Sequence, residues 1–255
     1  MRSKPVPTIP ELVAHRGWAA RCPDNTLLAI GEALRAGAGA VEIDVQLTRD
    51  GLPVLFHDRT LERLCGVKGA IRDHDWSELA TFACAEREKF GERFVGERIA
   101  RLEEFVELLT QHPRAFAFVE VKRAALEHAG IEAVLALVAR TLAPLAGRSA
   151  LISFSLPFLA AARRSGRFPL GSVFDSWEER TQPIVTEIDP EFVFCDVDGL
   201  PAAGELVFRR AKTVIYEIAD PALARSLAAR GVSAVETIEI GAMLAALGPA
   251  SEPSA

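Results

Sequence analysis

A chain of 255 residues with 49% hydrophobic content can bury a large core without disulfides, and its length suits a single α/β barrel. A formal net charge of -6, with Lys and Arg scattered rather than striped, excludes the extended basic surface that nucleic-acid binding requires. No run of about 18 consecutive apolar residues is available to cross a membrane.

Residues 1–10 read as a short lead rather than a signal peptide, because the early positive charge is not followed by a continuous apolar segment. A cytoplasmic protein is the expectation. Residues 11–15 form a short strand that ends in His15-Arg16-Gly17-Trp18, and 25–36 form a helix with Asp24 or Asn25 as its cap and Gly37 beyond its end. Strict alternation over 41–47 then predicts a strand with Glu42 and Asp44 on one face and Val41, Ile43 and Val45 on the other. Two acids on one face of a packed strand need a partner or a metal; the competing reading is an edge strand with a solvated acidic face. Asp50-Gly51 makes a turn, and 53–56 bring the chain back to His57-Asp58.

The mixed-charge, glycine-containing stretch 59–101 is read as an insertion with a short helix near 76–80, forming a cap over one end of the domain. A helix is expected over 102–109, then a strand over 116–122 that places Phe116, Phe118, Glu120 and Lys122 on one face. The remaining rhythm predicts helices at 126–142, 156–165, 201–210, 221–229 and 241–247, and strands at 150–154, 170–173, 191–195, 213–217 and 232–236. A weakly specified connector covers 176–186, and Gly248 and Pro249 stop the last helix before a polar tail from 250 to 255. Eight strands with long crossovers favour a (β/α)8 barrel over a doubly wound sheet, as one domain over about 10–248 that includes the insertion. No glycine-rich dinucleotide loop or P-loop is present. The four cysteines, Cys22, Cys65, Cys84 and Cys195, have no zinc-ligand spacing and read as free thiols. No pattern in the chain specifies an oligomeric state.

In a barrel, strand ends far apart in sequence meet over one mouth, so His15, Glu42, Asp44, Glu120 and Lys122 can share a site. Glu42, Asp44 and Glu120 are three hard oxygen donors suited to one divalent cation, Mg²⁺ or Ca²⁺. Arg16 and Lys122 add donors for a phosphate, and His15 and His57 can move protons in either direction near neutrality. Phe154, Trp177, Tyr216 and Glu217 are candidates for lining the substrate pocket.

The motifs His15-Arg16-Gly17, Pro23-Asp24-Asn25-Thr26, Glu42 to Gly51, His57-Asp58 and Glu120-Val121-Lys122 resemble, in content and order, those of the glycerophosphodiester phosphodiesterase family. The resemblance implies a metal-dependent barrel enzyme that splits glycerophosphodiesters into sn-glycerol 3-phosphate and an alcohol. Glu42, Asp44 and Glu120 would then be the metal ligands, His15 and His57 the acid-base pair, and Arg16 and Lys122 the phosphate contacts. The chain departs from the family pattern at Asp24, usually Glu, at Tyr216-Glu217, often Trp-Thr, and at Thr237-Ile238, often Thr-Asp. Two other readings accompany this one: a phospholipase-like enzyme acting on lysophospholipid or phosphoinositide, and a barrel that binds phosphodiesters without turnover.

Overall fold

Runs rich in β-branched and aromatic residues form nine strands: β1 (Glu11–His15), β2 (Ala40–Leu47), β3 (Pro53–Leu55), β4 (Phe116–Val121), β5 (Ser149–Ser153), β6 (Leu170–Phe174), β7 (Phe192–Asp196), β8 (Lys212–Tyr216) and β9 (Ala234–Thr237). The computed structural model describes residues 9–248. The expected lead up to residue 8 and, at the other end, Pro249 and the tail from 250 to 255 lie outside the described residues. β1 pairs in parallel with both β2 and β9, which closes the sheet. Every other strand is parallel except β3, which folds back antiparallel on β2. The result is a closed barrel of eight parallel strands, a (β/α)8 barrel with a small insertion after its second barrel strand.

The period of two decides what each strand buries. Val41, Ile43 and Val45 point outward and join Ile30, Phe105 and Val138 of the surrounding helices in the main core. Val13, Phe118, Ile152, Phe194, Val214 and Ala234 point inward and fill the barrel. An eight-stranded barrel staggers by about one residue per strand, so inward residues stack in layers drawn from alternate strands. Carried through the observed register, Glu42, Ile152, Phe194 and Glu236 fall in one layer. His15, Glu120, Val173 and Tyr216 form the next layer toward the strands' C-terminal ends. The apolar filling thus gives way to charge at that mouth.

The insertion has its own small core of Val54, Phe56, Leu61, Leu64, Ile71, Leu79 and Ile99, and holds short helices Glu62–Cys65, Trp76–Leu79 and Arg87–Phe90. Helices Leu156–Ser165, Pro221–Ala229 and Ile240–Leu247 lie where the apolar spacing predicts. Other expectations need correction. The helix expected at 25–36 is Leu27–Arg35, and its cap is Thr26, whose hydroxyl accepts from the Ala29 amide. The helix expected at 126–142 is two helices, Arg123–Ala129 and Ile131–Thr141, separated at Gly130 with φ of 81°. No helix forms at 201–210: Gly204 has φ of 100° and Arg209 of 49°, and the Pro201 and Gly204 carbonyls accept from Arg230 instead of from helical amides. The connector near 176–186 contains a 3₁₀ turn, Trp177–Thr181, and the helix Pro183–Ile188. All four cysteines are free and buried. Among the described residues no helix is long and apolar enough to cross a membrane.

Candidate active site

The first loop is shaped by Gly17, whose φ is 82° and whose place a Cβ could not take, since it would lie 2.5 Å from the Ala29 carbonyl carbon. This close approach turns the chain sharply after β1, with Arg16 itself at φ of 56°. The turn leaves the His15 and Arg16 side chains over the barrel mouth.

Glu42 and Asp44 project from β2, and Glu120 sits beside Asp44 in register on β4. One carboxylate oxygen from each lies within 4.8 Å of the others, and all three residues are buried. Lys122 Nζ lies 3.1 Å from Asp44 Oδ1 and 2.8 Å from Glu120 Oε1. Arg16 Nε lies 3.3 Å from Asp44 Oδ2. Asn25 holds Asp44 twice, its amide donating to Oδ2 at 2.8 Å and its Oδ1 accepting from the Asp44 backbone at 3.0 Å. Glu42 Oε2 accepts from the Arg16 backbone at 3.2 Å, while Oε1 is buried without a hydrogen-bond partner among the described residues. A buried, unpartnered carboxylate oxygen beside two more acids is costly unless a cation joins them. The hard oxygen set fits a divalent ion, and the cluster can coordinate one.

Both histidines are backed by carboxylates. His15 Nδ1 is 2.9 Å from Glu217 Oε2, and its Nε2 is 3.9 Å from Glu42 Oε2. His57 Nδ1 is 2.9 Å from Asp58 Oδ1. Arg63 grips that aspartate at 2.6 and 3.0 Å and also donates to Asp24 at 2.9 Å and Glu86 at 3.1 Å. The Gln46 amide donates to the carbonyls of Phe56, His57 and Asp58, pinning the His57 turn to β2. In each ring the carboxylate favours the proton on Nδ1 and leaves Nε2 free to exchange one.

A cavity of about 240 Å³ opens beside His57, Glu120, Lys122 and Phe154. The other three expected pocket residues are placed differently. Trp177 is 4% exposed and belongs to the outer core; the Tyr216 hydroxyl donates to the Phe174 carbonyl at 2.8 Å; and Glu217 is turned onto His15. Sequence reasoning missed Gln46, Arg63 and Glu236, and offers Asp24 or Asn25 as a cap where Asn25 instead holds Asp44. Gln46 was findable, because it continues the Glu42 and Asp44 face at the same spacing of two.

Charge at the site is unevenly held. Burial would raise Asp44, but Lys122 and Arg16 hold it well below the usual carboxylate range. Burial and neighbouring acids push Glu42 and Glu236 well above their ordinary 4.5, and burial raises Glu120 against the pull of Lys122. Burial also lowers His15 below 6.5, assisted by Arg16 and opposed by Glu217.

These directions predict how metal-free stability changes with pH. A depressed histidine adds stability as pH rises, but that gain is complete above its ordinary value of 6.5. A raised carboxyl works the other way: the folded form keeps a proton that the unfolded chain has shed above 4.5, so stability falls as pH climbs toward the folded value. The melting temperature in chelator is therefore expected to fall from pH 6.5 upward, and a saturating divalent cation should reverse much of the fall. Differential scanning calorimetry checks this; a metal-free melting temperature that climbs over that range would contradict it.

Residues 15–234 match the sequence model of the Glycerophosphoryl diester phosphodiesterase family. The chain belongs to this family. A glycerophosphodiester phosphodiesterase of Bacillus altitudinis is 36% identical over 122 residues, which cover 48% of this chain and 49% of that protein. The chain thus spans about half the length of the curated relatives it matches. A phosphodiesterase of Oleispira antarctica, solved in complex with the product sn-glycerol-3-phosphate, superposes with a TM-score of 0.79 at 25% identity, covering 93% of this chain and 96% of that one. A Silicibacter pomeroyi structure at 22% identity has a TM-score of 0.81, covers 96% and 95% of the two chains, and shares the fold. The span matched to the family includes every proposed ligand, both histidines, Arg16 and Lys122, but stops short of Glu236.

Proposed function

We propose that the protein hydrolyses glycerophosphodiesters to sn-glycerol 3-phosphate and an alcohol, using one divalent cation, Mg²⁺ or Ca²⁺, held by Glu42, Asp44 and Glu120. The observation that carries this reading is the meeting of those carboxylates with two carboxylate-backed histidines and with Lys122 and Arg16 at one mouth. The product bound in the Oleispira antarctica relative supports the choice of product.

Arg16 and Lys122 would orient the phosphate and balance its charge. When bound, the cation supplies Lewis-acid stabilisation of charge on the phosphoryl oxygens. One histidine takes the proton of the glycerol hydroxyl next to the phosphate, and that oxygen bonds to phosphorus. The other gives its proton to the alcohol oxygen as the bond from phosphorus to that oxygen breaks. Water then opens the cyclic glycerol phosphate with the two roles reversed. A substrate in which hydrogen replaces that adjacent hydroxyl tests the route: it should resist hydrolysis, and undiminished turnover would rule the hydroxyl out.

Glu217 enters as a positioning residue for His15, through the 2.9 Å contact to Nδ1. Replacing it by Gln keeps the size but weakens the hold on the Nδ1 proton, and kcat is expected to fall about 10- to 100-fold with KM little changed, as for outer partners of functional histidines. Glu217→Asp should recover part of the rate. Equal kcat in wild type and E217Q would remove this role. A cytoplasmic setting is part of the proposal, supported by four unpaired, buried thiols, and cell fractionation checks it.

A further inference from the structure

Glu236 has no part in the chemistry just described, yet it is 3% exposed, and its Oε1 has no hydrogen-bond partner among the described residues. Its position in the barrel follows from β9. Ala234, two residues earlier on the same face, belongs to the inner core, whereas Val235 packs in the outer one, so Glu236 points into the barrel. The register places it in the same interior layer as Glu42, on the adjacent corner of that layer. In the triad Glu42 Oε1 is likewise buried and unpartnered, whereas Asp44 Oδ1, also without a hydrogen bond, has the Lys122 ammonium at 3.1 Å. Two orphaned carboxylate oxygens therefore share one layer, on the side of the triad away from Lys122, which spends its ammonium on Asp44 and Glu120. The other two residues of the layer, Ile152 and Phe194, are apolar and offer neither acid a donor.

We infer that Glu236 is a fourth carboxylate of the cation site, serving the ion from below Glu42 and making the site one for Ca²⁺. This rests on the proposed role of Glu42, Asp44 and Glu120 as ligands. The charges support it. With all four acids ionised, as on a bound cation, they exceed Arg16 and Lys122 by two negative charges, which is the charge of one divalent ion. Removing that ion leaves a costly pair of acids: among the described residues Glu42 has only His15, at 3.9 Å, in ion-pair range, and Glu236 has no ion-pair partner. Ca²⁺ takes six to eight oxygens in flexible geometry, whereas Mg²⁺ keeps several of its waters and gains less from another carboxylate. A fourth acid in the Glu42 layer, beside the three-carboxylate cluster, therefore favours the larger ion.

Calorimetric titration of the chelator-stripped full chain with Ca²⁺ alone and Mg²⁺ alone tests this without relying on turnover. Wild type should bind Ca²⁺ more tightly than Mg²⁺. Glu236→Gln, its fold checked by circular dichroism, should weaken Ca²⁺ at least tenfold and narrow the preference, and Glu236→Asp, which keeps the charge should E236Q fold poorly, should bind Ca²⁺ more tightly than E236Q. Unchanged Ca²⁺ affinity in E236Q would overturn the role of Glu236 while leaving the triad standing. Failure of wild type to bind either ion would overturn the triad as well.

Discussion

His57→Ala is expected to lower kcat by about 10²- to 10⁴-fold, the usual worth of a positioned proton-transfer group, while the protein stays folded. The side chain is 33% exposed at the mouth, so its removal opens no cavity in either core. Asp58 would keep its charge partner, because Arg63 grips it with two hydrogen bonds independently of the ring. The loss should therefore fall on kcat rather than on melting temperature. Steady-state kinetics beside a thermal melt separate the two, and a variant with full kcat would exclude His57 from proton transfer.

Lys122→Met should have the other large effect, and on two observables at once. The Lys122 ammonium is the close counter-charge for Glu120 and one of two for Asp44, and its side chain is only 16% exposed. Deleting one partner of a buried ion pair costs about 3–5 kcal/mol, because the remaining charge stays desolvated. In chelator the variant should lose stability on that scale. A saturating divalent cation should restore part of it by taking over the charge of the carboxylates. Activity should not return with stability if Lys122 has the proposed role of orienting the phosphate. A chemical-denaturation series with and without cation checks the first part. If Lys122→Met proved as stable as wild type in chelator, the ion pair would not be holding the apo site together.

Much of this was legible because the site lies on strands, where a period of two reports direction. The alternation of Val41-Glu42-Ile43-Asp44 was enough to put two acids on one face, and Glu120 with Lys122 repeated the pattern on the strand that proved to be its neighbour. What escaped was set by tertiary contacts. Glu217 reaches a histidine 202 residues away in sequence, and no local spacing encodes that. Arg63 looks like an ordinary surface arginine of the insertion until Asp58, Asp24 and Glu86 are seen converging on it. Asn25 seemed a cap because Asn is a good one, but the adjacent Thr26 took that place and freed Asn25 for Asp44. Residues 201–210 have helix-forming composition in their second half, yet Arg230 satisfies their carbonyls from another segment, and local propensity yields.

The most direct measurement is release of sn-glycerol 3-phosphate from a panel of deacylated phospholipids, run metal-free and with added Mg²⁺ or Ca²⁺. Release that depends on the cation and falls by about 10²- to 10⁴-fold in His57→Ala is the predicted result. No release from any member of the panel, with cation binding intact, would contradict the account and leave a barrel that binds phosphodiesters without cleaving them.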